Sequence, residues 1–268
     1  RQRVRLEGSG VLGRFERLLG FVKNPNRVLI MKDIRLFWRD PTQWSQFVIF
    51  FGIMAIYIAN LRNTSHRYEE ELWRSWIACL NVGAVTLILA TLTSRFVFPL
   101  ISLEGHRFWV LGLAPLSFRQ LMWQKFWLSV CTTSAFTVGL ALLSGWMLKL
   151  APVYYGLTIY SVVVCNLGLS GLAVGLGALY PNFSEDNPAR IVSGLGGTLN
   201  LLASVGYITL VVAVQTLIMQ WRVLERYASV GEFRYALGIG VLFIALLSAA
   251  CTLLPMRLGL RNLNKMEF

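Results

Sequence analysis

The sequence predicts an all-α, polytopic membrane protein: six transmembrane helices, an N-terminal interfacial helix, and both termini in the cytoplasm. Three observations carry that prediction. Of the 268 residues, 56% are hydrophobic and only 14% are charged, well below the roughly 25% charge of soluble domains. Several apolar runs reach the roughly 20 residues that a helix needs to cross hydrocarbon, and they are apolar on every face, which a soluble core helix has no cause to be. The basic residues gather at the ends of these runs.

The elements follow in chain order. Residues 1–22, RQRVRLEGSGVLGRFERLLGFV, are basic and mildly amphipathic, a cytoplasmic segment or linker along the membrane surface. In residues 23–43, Val28, Ile30, Ile34, Phe37 and Trp38 are interleaved with Arg27, Lys32, Arg35 and Arg39. Pro25 can open a helix there and Pro41 can close it, so this is the interfacial helix. Residues 44–257 form the six-helix domain. Its spans are expected at 44–61, 76–98, 126–148, 152–180, 199–221 and 235–254, with Pro152 opening the fourth and Pro255 ending the last. Residues 258–268 are a cytoplasmic tail.

Lys and Arg set the orientation. With the N-terminus inside, 18 of them lie on the cytoplasmic side and 7 outside, so the positive-inside bias places both termini in the cytoplasm. The formal net charge of +12 belongs to this membrane pattern and to anionic lipid, and nucleic acid is excluded as a partner. Cys79, Cys131, Cys165 and Cys251 all lie within apolar runs with no ligand spacing, and His66 and His106 are isolated. Neither a metal site nor a disulfide framework follows. Asn63-Thr64-Ser65 matches a glycosylation sequon on the expected outer side.

Catalytic signatures are missing from the sequence. None of its five lysines follows a Gly or precedes a Ser or Thr, so no Gly-Lys-Ser/Thr phosphate loop is present. No zinc-protease or nucleophile-elbow motif occurs either. No carboxylate falls in the middle of a span, which argues against an ion-coupled carrier. These points predict a chain without catalytic residues and without a bound cofactor.

A few residues stand out against the apolar background. Arg95 lies near the end of the second span, where it either snorkels to the headgroups or pairs with Glu104 or Asp186. Gly171 and Gly175 form a Gly-xxx-Gly step, suited to close helix packing within the chain or to a dimer face. Asn81, Asn166 and Asn200 either bond neighbouring helices or line a path for a substrate. The segment ISLEGHRFWVLGLAPLSFRQLMWQKF, residues 101–126, is too charged for hydrocarbon and too apolar for a free loop. It predicts a short helix from Gly105 to about Leu113, a break at Pro115, and a new helix started by Ser117. The short helix either docks in a partner's groove or lies half-sunk in the interface, anchored by Trp109 and Trp123.

This segment resembles the cytoplasmic loop of ABC type-2 exporter permeases: Glu104-Gly105, the Leu111–Ser117 turn with Pro115, then Lys125 entering the third span. KDIRLFWRDPTQWSQFVIFFG and LYPNFSEDNPARIVSGLGGTLNLL resemble a bacterial branch of such exporter permeases, over about residues 23–257, and the chain looks like the C-terminal half of a longer permease. The resemblance implies a transport subunit of the bacterial inner membrane without its own ATPase site. ATP and Mg would be held by a partner ABC ATPase, and a second permease half or a second copy would complete the path within membrane lipid. It further implies a coupling helix at 104–115, with Glu104, Gly105, Arg107, Phe108, Trp109, Leu113 and Pro115 meeting the ATPase. Glu185, Asp186 and Arg190 would make a secondary cytoplasmic contact, and alternating access would export the substrate. The alternative is a non-transporting, permease-like structural subunit of a larger membrane complex.

Overall fold

A computed structural model describes residues 29–35, 45, 48–49, 52–53, 56, 71–107, 117–223 and 230–265. The chain divides into two compact units, residues 1–49 and 50–268. In the first, residues 29–35 are helical, within the expected interfacial helix. The expected span at 44–61 lies mostly outside the described residues.

The described residues of the second unit are mostly helical and include no strand. Helix α1 is Glu71–Leu92, α2 is Phe118–Met147, α3 is Pro152–Leu179, α4 is the short Pro188–Ser193, α5 is Leu195–Val223 and α6 is Val230–Leu263. Beyond α1 the chain continues as a π-helical turn, Thr93–Val97, then as 3-10 turns at Phe98–Leu100 and Ser102–Arg107. Among the described residues, five stretches are long and apolar enough to cross a membrane: Ser75–Glu104, Phe118–Met147, Pro152–Leu179, Leu195–Gln220 and Gly231–Leu263. They coincide with five of the six expected spans, and the protein is membrane-associated.

Local chemistry starts and stops these helices. Ser117 opens α2 with a reciprocal capping box: its Oγ accepts from the Gln120 amide at 3.3 Å, and the Ser117 amide donates to Gln120 Oε1 at 3.2 Å. The helix therefore starts eight residues before the span expected at 126, as the Ser117 signal predicts. Pro152 stands in the first turn of α3, where its missing N–H costs nothing, and Pro181 follows the helix end. Asn187 caps α4 by accepting from the Ala189 amide at 3.0 Å.

Helix α3 is central and packs against α1, α2, α5 and α6. Its contact with α6 is the closest. A Cβ on Gly171 would come within 2.6 Å of Thr252 Cα, and one on Gly175 within 2.4 Å of the Pro255 carbonyl carbon. Only glycine permits that approach. Pro255 does not end the last helix; α6 runs through it to Leu263 and takes in part of the expected tail. A mid-helix proline costs about 3 kcal/mol. Packing of the Pro255 turn against Gly175 offsets that cost.

Buried polar groups bind the helices to one another. Asn166 on α3 accepts from Thr133 Oγ1 at 2.7 Å and donates to Ser134 Oγ at 2.6 Å and to the Val130 carbonyl at 3.2 Å. Asn200 on α5 donates to Ser94 at 2.7 Å, and Asn81 on α1 donates to Ser144 at 2.6 Å. All three asparagines bond neighbouring helices, one of the two roles expected of them.

Candidate functional site

The site lies where the second span ends and the chain turns toward α2. Pro99 has no N–H to give to the carbonyl four residues back. The helix responds by loosening and then tightening. The Phe98 amide reaches the Thr93 carbonyl, five residues back, and a 3-10 turn follows. Thr93 turns its hydroxyl onto the Leu89 carbonyl at 3.0 Å, while Ser94 accepts from Asn200. The π turn is thus held to α5, and its one charged residue, Arg95, faces outward and is exposed.

The turn then brings Glu104 to the first turns of α2. Lys125 Nζ lies 2.8 Å from Glu104 Oε1, with the side chains only 1% and 3% exposed respectively. Two opposite charges taken out of water stabilise each other, and losing either removes a close counter-charge from a low-dielectric setting. The pair ties the elbow at 98–107 to α2. Lys125, and not Arg95, is the ion-pair partner of Glu104 in the described structure. The sequence presents Lys125 as part of the motif without a stated partner. The signal that could have found it is a lone lysine in an apolar helix run, with a lone carboxylate in the preceding turn.

Other elements close on the same elbow. The Asn182 amide donates to the buried Ser102 hydroxyl at 3.1 Å, which joins the 180–187 loop to the turn. A Cβ on Gly177 would lie 2.4 Å from the Phe98 carbonyl oxygen, so α3 passes directly against the turn. Asn262 of α6 donates to the Ala178 and Leu179 carbonyls at 3.3 and 2.9 Å, which supplies partners for the last carbonyls of α3.

Of the residues expected to make a coupling site, Glu104 is buried, and the backbone of Gly105 and Arg107 completes the Ser102–Arg107 turn. Phe108, Trp109, Leu113 and Pro115 lie outside the described residues, as does most of the expected coupling helix at 104–115. Its described beginning is this 3-10 turn, which opens at Ser102 and not at Gly105. Glu185 and Arg190 form a surface pair at 3.6 Å, with Arg190 74% exposed, a contact of little energetic weight. Asp186 is exposed beside it. Gly171 and Gly175 lie at the α3–α6 contact. The elbow end also presents exposed Arg95, Arg119, Arg190, Arg257, Arg261 and Lys265, against exposed Lys149 and Arg234 at the other end, among the described residues. One end of the bundle is therefore distinctly cationic. No group of three or more His, Cys, Asp or Glu residues poised to hold a metal ion occurs among the described residues.

Residues 2–268 match a protein family described as "Putative ATP-binding cassette". The chain belongs to this family. No curated protein and no solved structure matches it.

Membership of the ATP-binding-cassette family corrects the resemblance drawn from the sequence. The family is described by nucleotide binding and not as an ABC type-2 permease, so the permease role falls, and with it the expectation of a chain lacking its own ATPase site. The physical reason is the low specificity of what carried the resemblance. Apolar spans, an interfacial amphipathic stretch and a Pro-broken loop are what any polytopic helical chain needs in order to enter and leave a bilayer. The sequence lacks a Gly-Lys-Ser/Thr loop.

Proposed function

We propose that this protein is a membrane-embedded component of an ATP-binding-cassette transporter, with MgATP as the nucleotide that drives it and the elbow at 98–107 as its moving joint. The observation that carries this reading is family membership across residues 2–268 in a chain whose described residues include five helices long and apolar enough to cross a membrane. The cationic end supports it further. That end takes the cytoplasmic side by the positive-inside rule, and its exposed guanidinium groups suit the phosphates of a nucleotide. The Glu104–Lys125 pair ties the elbow to α2, so a displacement of the Ser102–Arg107 turn is carried into α1 and α2 together. Membrane lipid covers the apolar side chains exposed on α5 and α6, and further subunits of the transporter, or a second copy of this chain, are the protein partners.

The test is photo-crosslinking of azido-ATP with Mg²⁺ to the full chain, purified in mild detergent with its co-purifying subunits identified by mass. Labelling of this chain that excess ATP competes away is the expected result. Label confined to other subunits overturns nucleotide binding here, and a preparation with neither label nor transporter subunits overturns the whole reading.

A further inference from the structure

Away from the elbow, a layer of buried oxygens crosses the other half of the bundle. On one side of it, Ala78 and Cys79 of α1, Leu157 of α3, and Ile218 and Met219 of α5 form an apolar cluster. On the other, Val82 and Val85 of α1 pack with Ala141 of α2 and Val162 of α3, flanked by Val212 of α5. The residues between these levels include Asn81, Thr158, Ser161 and Gln215, each no more than 1% exposed. Direct contacts fix the alignment. Cys79 Sγ lies 3.5 Å from Met219 Sδ, and a Cβ on Gly83 would lie 3.8 Å from Val212.

Asn81 Oδ1, Thr158 Oγ1, Ser161 Oγ and Gln215 Oε1 have no hydrogen-bond partner among the described residues. Such an acceptor, buried and unmet, costs about 1–3 kcal/mol. Asn81 Nδ2 donates to Ser144 Oγ at 2.6 Å, and Ser144 donates to the Ala141 carbonyl at 3.2 Å; turning the Asn81 amide over would satisfy Oδ1 only by leaving Nδ2 unmet, so one polar atom of this amide stays without a protein partner either way. Gln215 spends its Nε2 on Met219 Sδ at 3.8 Å. Elsewhere in the bundle, buried Thr86, Thr93 and Ser248 turn their hydroxyls onto the carbonyl four residues back. Thr158 and Ser161 do not. The two amide oxygens lack donors and the two hydroxyls lack partners of either kind, on three helices that pack together.

We propose that the layer formed by Asn81, Thr158, Ser161 and Gln215 is a binding site for internal water that bridges α1, α3 and α5. The chemistry selects water over a cation. All four groups are neutral, and a cation held by them alone would be buried without a counter-charge. A water molecule is neutral, brings two donors and accepts from the hydroxyls. The site lies between apolar clusters within three of the apolar helices, so the water in it is separated from bulk solvent.

Radiolytic labelling of the intact protein in detergent, carried out in ¹⁸O water and read by mass spectrometry, tests this. Hydroxyl radicals made from bound water attack their immediate neighbours, so Met219, itself 0% exposed, should incorporate ¹⁸O in the wild-type protein. Gln215→Leu should reduce that incorporation severalfold without raising the melting temperature. Absence of label at Met219 in the wild-type protein overturns the proposal, whether or not the variant folds. So does a variant that is more stable than wild type, because removing an acceptor that nothing satisfies stabilises the fold.

Discussion

Helices α3 and α6 are both long, apolar and uncharged through their middles, yet one lies inside the bundle and the other lines its outside. In α3, 72% of the most apolar stretch is buried; in α6, whose most apolar stretch is the more apolar of the two, the figure is 22%. Hydropathy therefore ranks them the wrong way round for a soluble protein. The reason is the solvent. Lipid tails are as apolar as leucine, so burying leucine against protein gains little. What earns an inside place is a small residue that admits a neighbouring backbone, or a polar group that needs a partner. Helix α3 carries Asn166, Ser170, Gly168, Gly171, Gly175 and Gly177 on buried positions. Helix α6 presents Leu242, Leu246, Leu254 and Leu258 outward.

The rule is tested most severely at Lys125, the extreme case of a polar residue marking the interior. Lys125→Met should destabilise the protein by about 3–5 kcal/mol, because it removes the buried cation 2.8 Å from the Glu104 carboxylate. The double variant Glu104→Gln/Lys125→Met should recover most of that loss. Both are read by thermal unfolding in detergent, and a single variant as stable as wild type would break the rule. Gly175→Ala comes next. Its new Cβ meets the Pro255 backbone, which cannot swing aside as a side chain can, and the cost of such overpacking is about 1–3 kcal/mol. Asn166→Leu removes bonds to α2 and should cost about 1–2 kcal/mol by the same measurement, consistent with modest helix–helix hydrogen bonds in bilayers. The smallest effect belongs to α6. Nothing lies within 4 Å of a Cβ at Gly238, so Gly238→Ala should change stability by no more than about 1 kcal/mol, and in the stabilising direction. Equal losses at Gly175 and Gly238 would sink the distinction between the two helices.

Much of this fold is legible in the sequence, for physical reasons that differ by element. Ser117 and Gln120 announce the start of α2 because a capping box is local chemistry. Pro152 announces α3 in the same way. Pro255 misleads, because the usual rule weighs only the lost hydrogen bond and not the glycine surface of α3 that receives the turn. The candidate site is half legible. Glu104 stands out as a lone carboxylate beside apolar spans, but its tie to Lys125 depends on how Pro99 bends the chain. The family likeness drawn from the loop failed because the same features serve any chain that must leave and re-enter a bilayer.

By itself, the sequence determined that this is a helical chain suited to membrane, where α2 and α3 begin, and which end carries the positive charge. These follow from backbone hydrogen bonding, capping and the cost of charge in hydrocarbon, all of which act within one helix or at its ends. Only the tertiary structure decided which helix is central, that Gly175 faces Pro255, that Lys125 meets Glu104, and that Asn81 and Gln215 lie at one level. Each of these depends on the rotation and depth of one helix against another. Among uniformly apolar helices, hydropathy carries almost no information about either, and a few small and polar side chains set both.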